Sequence, residues 1–132
     1  MNREKPTVSS VSKHLRDKLS DIYPERELNA IIKIVLSHLS GKERSFLLAN
    51  PGYSMPSSNW FKVNKICNDL KKRVPVQYIT GETEFYGIRI KVTKDTLIPR
   101  QETEELADMI IRQNKDAVPR IIDIGTGSGC IA

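Results

Sequence analysis

Arg120-Ile-Ile-Asp-Ile-Gly-Thr-Gly-Ser-Gly-Cys-Ile-Ala132 is the stretch on which the fold turns. Ile121, Ile122 and Ile124 form a β-branched run broken by one acid, Asp123, and this suits a strand buried on both faces. Gly125, Gly127 and Gly129 follow at alternate positions, and Cys130, Ile131 and Ala132 have the character of a helix opening. Strand, glycine turn and helix are the pieces from which an open α/β sheet builds a ligand site at the carboxyl ends of its strands.

A βα unit opening at residue 121 needs several more units to close a sheet. The 132 residues are therefore expected to hold one small domain and the first part of another. Hydrophobic content of 39% and charged content of 28% fit a globular protein in water, and cytoplasmic residence is the expectation. No apolar run approaches the roughly 20 residues of a membrane span, and Met-Asn-Arg-Glu-Lys-Pro lacks the apolar core of a signal peptide. Two cysteines, Cys67 and Cys130, make neither a disulfide framework nor a metal-ligand spacing, so no metal site is expected. Charge is unevenly placed. Residues 1–73 hold 14 Lys+Arg and 7 Asp+Glu, a net +7, and residues 74–132 hold 7 and 9, a net −2. A basic front end favours an acidic or RNA-containing partner by long-range attraction, although surplus lysine on a solvated helical surface has the same signature.

Residues 1–8 have the composition of a loose tail. Ser9 or Ser10 can cap a helix with apolar positions Val11, Leu15, Leu19 and Ile22. Pro24, Glu25 and Glu27 suit the first turn of a second helix, whose stripe is Leu28, Ile31, Ile32, Val35, Leu36 and Leu39 and whose end is Gly41. A short helix over 42–49 and a loop over 50–58 precede a helix capped by Ser57 or Ser58, with Trp60, Val63, Cys67, Leu70 and Val74 on one face. These elements make a helical bundle from about residue 9 to 73. Pro75 to Gly81 reads as a turn or single helical turn. Glu82 to Val92 reads as a β-hairpin turning near Gly87. Leu97-Ile-Pro-Arg100 is extended, since Pro99 disfavours helix before it. A helix from Gln101 is expected to carry Glu102, Glu104 and Glu105 early and to bury Leu106, Met109 and Ile110, with a polar loop over 114–119.

Three ligands compete for Gly125 to Gly129. A P-loop needs Gly-Lys-Ser/Thr, and no lysine follows. A dinucleotide fingerprint places its third glycine elsewhere and does not require Asp123. Asp-x-Gly-x-Gly-x-Gly instead resembles the first motif of Rossmann-like methyltransferases that use S-adenosylmethionine. Glycines let the backbone approach the cofactor, and Asp123 can balance the amino group of its methionine moiety. A plain glycine-rich βα turn is the bland alternative.

Upstream blocks sharpen the likeness. Pro75-Val-Gln-Tyr-Ile-Thr-Gly-Glu-Thr-Glu-Phe-Tyr-Gly87, Thr96-Leu-Ile-Pro-Arg-Gln-Glu-Thr-Glu104 and Ile122-Asp-Ile-Gly-Thr-Gly-Ser-Gly129 resemble, in order and spacing, the N5-glutamine methyltransferases of the HemK type, which methylate peptide-chain release factors. The likeness implies an α+β visible chain: a helical substrate-recognition domain over 1–73, a β-hairpin connector over 74–95, and the start of a Rossmann-like methyltransferase domain over 96–132. It implies S-adenosylmethionine as cofactor, bound by Asp123, Gly125, Thr126, Gly127, Ser128 and Gly129, with Arg100, Thr103 and Glu104 beside cofactor and target glutamine. Gln101 stands where many members have proline. The family's catalytic Asn-Pro-Pro-Tyr and its ribose-binding acid are expected after Ala132. These residues alone are therefore expected to transfer no methyl group. The implied partner is a release factor, with ribosome or RNA proximity through the basic front end and no membrane.

Other residues have simpler explanations. His14 and His38 lie on helices without metal-ligand spacing, Cys67 suits a core thiol, Cys130 a packing position, Trp60 and Phe61 the bundle core and its margin, and Glu82 and Glu84 a solvated strand face. Two other function classes share parts of the pattern. A nucleic-acid adenine N6-methyltransferase would share the glycine turn but not the Pro-Arg-Gln-Glu-Thr-Glu block. An isolated helical protein-binding module would leave the tail unused.

Overall fold

Amphipathic stripes that cannot be buried locally drive the first 80 residues together. The computed structural model describes residues 4–115 and 118–132, and it divides into two units, the first through Thr80 and the second from Gly81. In the first unit α1 (Val8–Leu19) packs on α2 (Glu25–Ser40) and α4 (Asn59–Lys71), α3 (Arg44–Ala49) packs on α2, and α5 (Val76–Thr80) packs on both α2 and α4. The expected stripes form the core: Val11, Leu15 and Leu19 meet Leu28, Ile32, Val35 and Leu36, together with Val63, Cys67 and Leu70. Ile22, Leu39 and Trp60 lie half-buried against it. Phe61, placed at the core margin by the sequence, points to solvent.

Start and stop signals differ in detail from those read in the sequence. The cap of α1 is Thr7, not Ser9 or Ser10. Its hydroxyl accepts from the Ser10 N–H at 3.1 Å, and the Ser10 hydroxyl accepts from the Thr7 N–H at 2.8 Å, a reciprocal capping box. Of the expected loose tail, residues 1–3 lie outside the described set, and residues 4–7 are tied down. Pro6 is fully buried, its carbonyl accepts from Met55 N–H at 2.8 Å, Thr7 pairs with Ser54, and Trp60 Nε1 donates to the Glu4 carbonyl. Gly41 ends α2 in the left-handed conformation, as expected. Ser58 occupies the cap position of α4 but makes no side-chain cap bond.

The end of α4 carries the strained feature of this unit. Val74 N–H bonds to Asp69 O at 3.1 Å and Arg73 N–H to Leu70 O at 2.9 Å, the two bonds of a Schellman motif, and Arg73 takes the left-handed conformation (φ 62°) usually given to glycine. The Arg73 guanidinium lies over the Tyr23 ring, 5.3 Å from its centroid. Tyr23 in turn donates its hydroxyl to the Leu70 carbonyl at 2.8 Å. Burial raises the Tyr23 phenol pKa, and Arg73 opposes that shift.

In the second unit β1 (Glu82–Phe85) and β2 (Ile88–Lys91) pair antiparallel, with Glu82 opposite Lys91 and Glu84 opposite Arg89. Opposite charges at facing positions favour this register. Phe85 and Val92 are buried, while Ile88 is exposed. Helix α6 (Gln101–Gln113) follows, but its apolar face is not buried: Leu106, Met109 and Ile110 are 47%, 48% and 37% exposed. The expected loop over 114–119 includes residues 116–117, which lie outside the described set.

The expected strand over 121–124 is not formed, and Ile122 and Ile124 are 85% and 91% exposed. Nor do Cys130 to Ala132 begin a helix. A central parallel strand exists only through neighbours that take its N–H and C=O groups and cover both faces, and no described element does so. Among the described residues the fold is thus α+β, with five helices in the first unit and a two-stranded hairpin and a helix in the second. Among the described residues no helix is long and apolar enough to cross a membrane.

Two substitutions probe this account. Leu15→Ala, at a fully buried position, should lower the unfolding free energy by about 2–5 kcal/mol in chemical denaturation. Arg73→Gly should be more stable than Arg73→Ala by about 1 kcal/mol, because both lose the contact with Tyr23 but only alanine keeps the left-handed cost. Equal stabilities would show that the cap is unstrained.

Candidate functional site

The block over 96–104 is set up by a small turn. Thr96 N–H donates to Thr93 O at 2.9 Å, Thr93 N–H donates to Thr96 Oγ1 at 3.0 Å, and the two hydroxyls lie 3.0 Å apart. The chain then runs without regular secondary structure to Arg100, which occupies the cap position of α6 in an extended conformation with φ −97° and ψ 153°. The Arg100 carbonyl accepts from Thr103 N–H at 3.1 Å and Glu104 N–H at 3.3 Å. Its side chain makes no cap bond and is exposed. Glu102 and Glu104 lie at the positive end of the helix dipole.

Glu104 reaches across to the hairpin. The two-residue turn Tyr86-Gly87 has both residues left-handed, φ 50° and 74°, the conformation whose twist matches a tight antiparallel hairpin. Glycine adopts it freely and tyrosine rarely. Tyr86 is held there twice: its N–H donates to Glu104 Oε1 at 2.9 Å, and its hydroxyl donates to Asp108 Oδ1 at 2.7 Å. Arg112 Nε closes the line with Asp108 Oδ2 at 2.7 Å. Glu104, Asp108 and Arg112 stand at successive fourth positions and so share one face of α6. The hydrogen bond from Tyr86, then that from Arg112, lowers the Asp108 pKa, and the same bond to Asp108 raises the Tyr86 phenol. Glu104 thus has a structural task, and its bond goes to the hairpin rather than to the glycine turn. Sequence reasoning singled out Glu104 and missed Tyr86 and Asp108. The spacing of Asp108 four residues after Glu104 was the available signal.

Gly125, Gly127 and Gly129 all adopt positive φ, 74°, 56° and 76°. Gly129 N–H donates to Thr126 O at 2.8 Å and tightens the loop. A Cβ at Gly125 or Gly129 would meet nothing within 4 Å, so backbone conformation rather than space selects glycine there. Ser128 is half-buried and Thr126 exposed. Asp123 Oδ2 is shielded from solvent and has no hydrogen-bond partner among the described residues. A shielded acceptor beside open glycine backbone fits a ligand that brings its own donors, such as an ammonium group. Helical amides beyond the turn, the other half of such a site, are not formed here.

Of the simpler assignments, Cys67 is a buried thiol whose pKa burial raises, partly offset by Lys71 and Lys18. His38 is exposed, and His14 stands edge-on to Trp60 at 5.5 Å.

Comparison with known proteins shows the family of the chain. Residues 10–81 match the family model described as the PrmC N-terminal domain, and the chain belongs to that family. It is 36% identical to the release factor glutamine methyltransferase of Bacteroides thetaiotaomicron over 95% of this chain and 45% of that protein. It is 38% identical to the protein of the same name in Flavobacterium psychrophilum over 86% and 41%. With the Bacillus subtilis protein of that name it shares 38% identity over 81% and 38%. The chain spans less than half the length of these relatives.

The clamp predicts its own pH window. Asp108 has a lowered pKa, so its stabilisation is full above the usual carboxylate range and fades as pH falls through the lowered value. Tyr86 has a raised pKa, so its share is full below the usual phenol range and is lost as pH rises through the raised value. NMR titration should show the Tyr86 ring signals moving at both extremes. In Asp108→Asn the acidic movement should vanish, and its persistence would rule out the bond as the cause.

Proposed function

We propose that these residues belong to an enzyme that methylates the side-chain amide nitrogen of a glutamine in a peptide-chain release factor, with S-adenosylmethionine as methyl donor. The observation that carries this reading is the match to release factor glutamine methyltransferases along 95% of the chain. When bound, S-adenosylmethionine supplies a methyl group on a sulfonium, an electrophile suited to a weak amide nucleophile.

Asp123 Oδ2 would accept from the cofactor's ammonium, and Gly125, Gly127 and Gly129 would offer backbone N–H groups without a side chain in the way. Thr126 and Ser128 would add hydroxyls. The unformed strand over 121–124 would gain its ladder partners in a completed Rossmann-like sheet, which would also cover the exposed face of α6. Arg100 and Thr103 would stand beside cofactor and glutamine at the start of α6, with Glu104 fixing the hairpin that precedes them. An amide nitrogen needs acceptors on its hydrogens as charge develops. The expected source, an Asn-Pro-Pro-Tyr segment, does not occur among these 132 residues, so they alone would leave a release factor unmethylated. The helical unit would serve as recognition domain, since a single glutamine side chain offers little binding surface. Such an enzyme would work in the cytoplasm, where release factors act.

Incubating the intact enzyme with S-adenosylmethionine and unmethylated release factor should place one methyl group on one glutamine, read by mass spectrometry of the digested product. Asp123→Asn should weaken cofactor binding about tenfold or more in calorimetry, as expected when a buried charged acceptor is lost. Methylation of an adenine in RNA or DNA, with the release factor unmodified, would sink the proposal.

A further inference from the structure

The basic character of the front end has a location. Lys71, Lys72 and Arg73 are the densest run of cations, but Arg73 is engaged by the cap of α4 and by the Tyr23 ring. The other concentration surrounds a groove of about 410 Å³ between α1, α2 and α3. This volume is within the range of ligand-binding clefts. Ile32, Leu36 and Leu47 form its buried floor, and Leu48, 67% exposed, stands on its wall. Lys13 and Arg16 from α1, Lys33 from α2 and Arg44 from α3 rim it, against one carboxylate, Asp17, for a formal net of +3.

Lys13, Lys33 and Arg44 enter no ion pair among the described residues. Arg16 Nη2 donates to Asn29 Oδ1, which fixes its direction. Four cations converging on one cleft repel each other, and an anionic partner relieves that repulsion as it binds. Their spread over three helices suits several carboxylates along a segment better than one compact headgroup. An apolar floor beneath such a rim calls for an apolar side chain between those carboxylates.

We propose that this groove docks an acidic, apolar-tipped segment of a protein partner. Resting on the functional reading above, the partner is the release factor, and the groove holds it by a surface remote in sequence from the glycine turn. The apolar floor supplies the contact area, and the rim supplies rate and orientation.

The test measures binding of unmethylated release factor to the intact protein by calorimetry at two salt concentrations. Lys33→Glu with Arg44→Glu should weaken binding about tenfold or more and flatten its salt dependence, while Lys71→Glu with Lys72→Glu should leave both near the original values. The four substituted side chains are exposed, so circular dichroism melting should be unchanged. If charge reversal unfolds the protein, Lys33→Gln with Arg44→Gln replaces it. Release factor bound equally well by the groove variants would overturn the groove while leaving the methylation reading intact. Failure of the unaltered enzyme to methylate any release factor would overturn that reading instead. A single-stranded RNA oligonucleotide or a fatty acid that needs Lys33 and Arg44, with release-factor binding indifferent to them, would overturn the class of partner.

Discussion

The carbonyl oxygen of Leu70 is where the first unit closes. It accepts the Tyr23 hydroxyl from the link between α1 and α2, and it accepts the Arg73 N–H that terminates α4. One buried acceptor therefore fixes both the height at which the α1–α2 connection crosses α4 and the direction in which the chain leaves it. That direction carries α5 back onto α2 and α4 before the hairpin begins. Arg73 bears the conformational cost in the place where glycine would be free of it, and its guanidinium over Tyr23 offsets part of that cost.

Helical spacing made most of this unit readable. Leu15, Leu28, Val35, Val63 and Leu70 fall on helical stripes that meet in one core, and Gly41 marks its helix end by composition alone. The cap of α1 was not readable. Ser9, Ser10 and Thr7 are equivalent as hydroxyl donors and acceptors. What selects Thr7 is Pro6 pinned by Met55 and Thr7 paired with Ser54, contacts nearly fifty residues away. The same limit explains Arg73, whose partner Tyr23 is fifty residues distant in sequence.

In the second unit the local features were legible and the long-range ones were not. Gly87 announced the turn, and the three glycines of the last loop take left-handed conformations. The bonds from Tyr86 to Glu104 and Asp108 join segments eighteen and twenty-two residues apart, so the spacing of the two acids marks a shared helix face but not the tyrosine that it meets. The strand over 121–124 failed for a different reason. A strand buried on both faces is a property of a sheet, so its sequence states a requirement that described neighbours do not meet. The apolar face of α6 states a similar requirement. Among the candidate site residues, Asp123 keeps an acceptor without a partner among the described residues and the glycines keep positive φ, whereas Glu104 is committed to holding the hairpin.

The two thiols differ in a way that has practical use. Cys67 is sealed in the core with its ionisation suppressed by burial, while Cys130 is half-buried directly after Gly129. Since alkylating reagents attack an accessible thiolate, a maleimide dye added to the native protein would mark the glycine turn and spare the bundle. The chain thus carries a built-in attachment point for a fluorescent reporter, one whose emission would follow events at the last loop without any cysteine having to be engineered in.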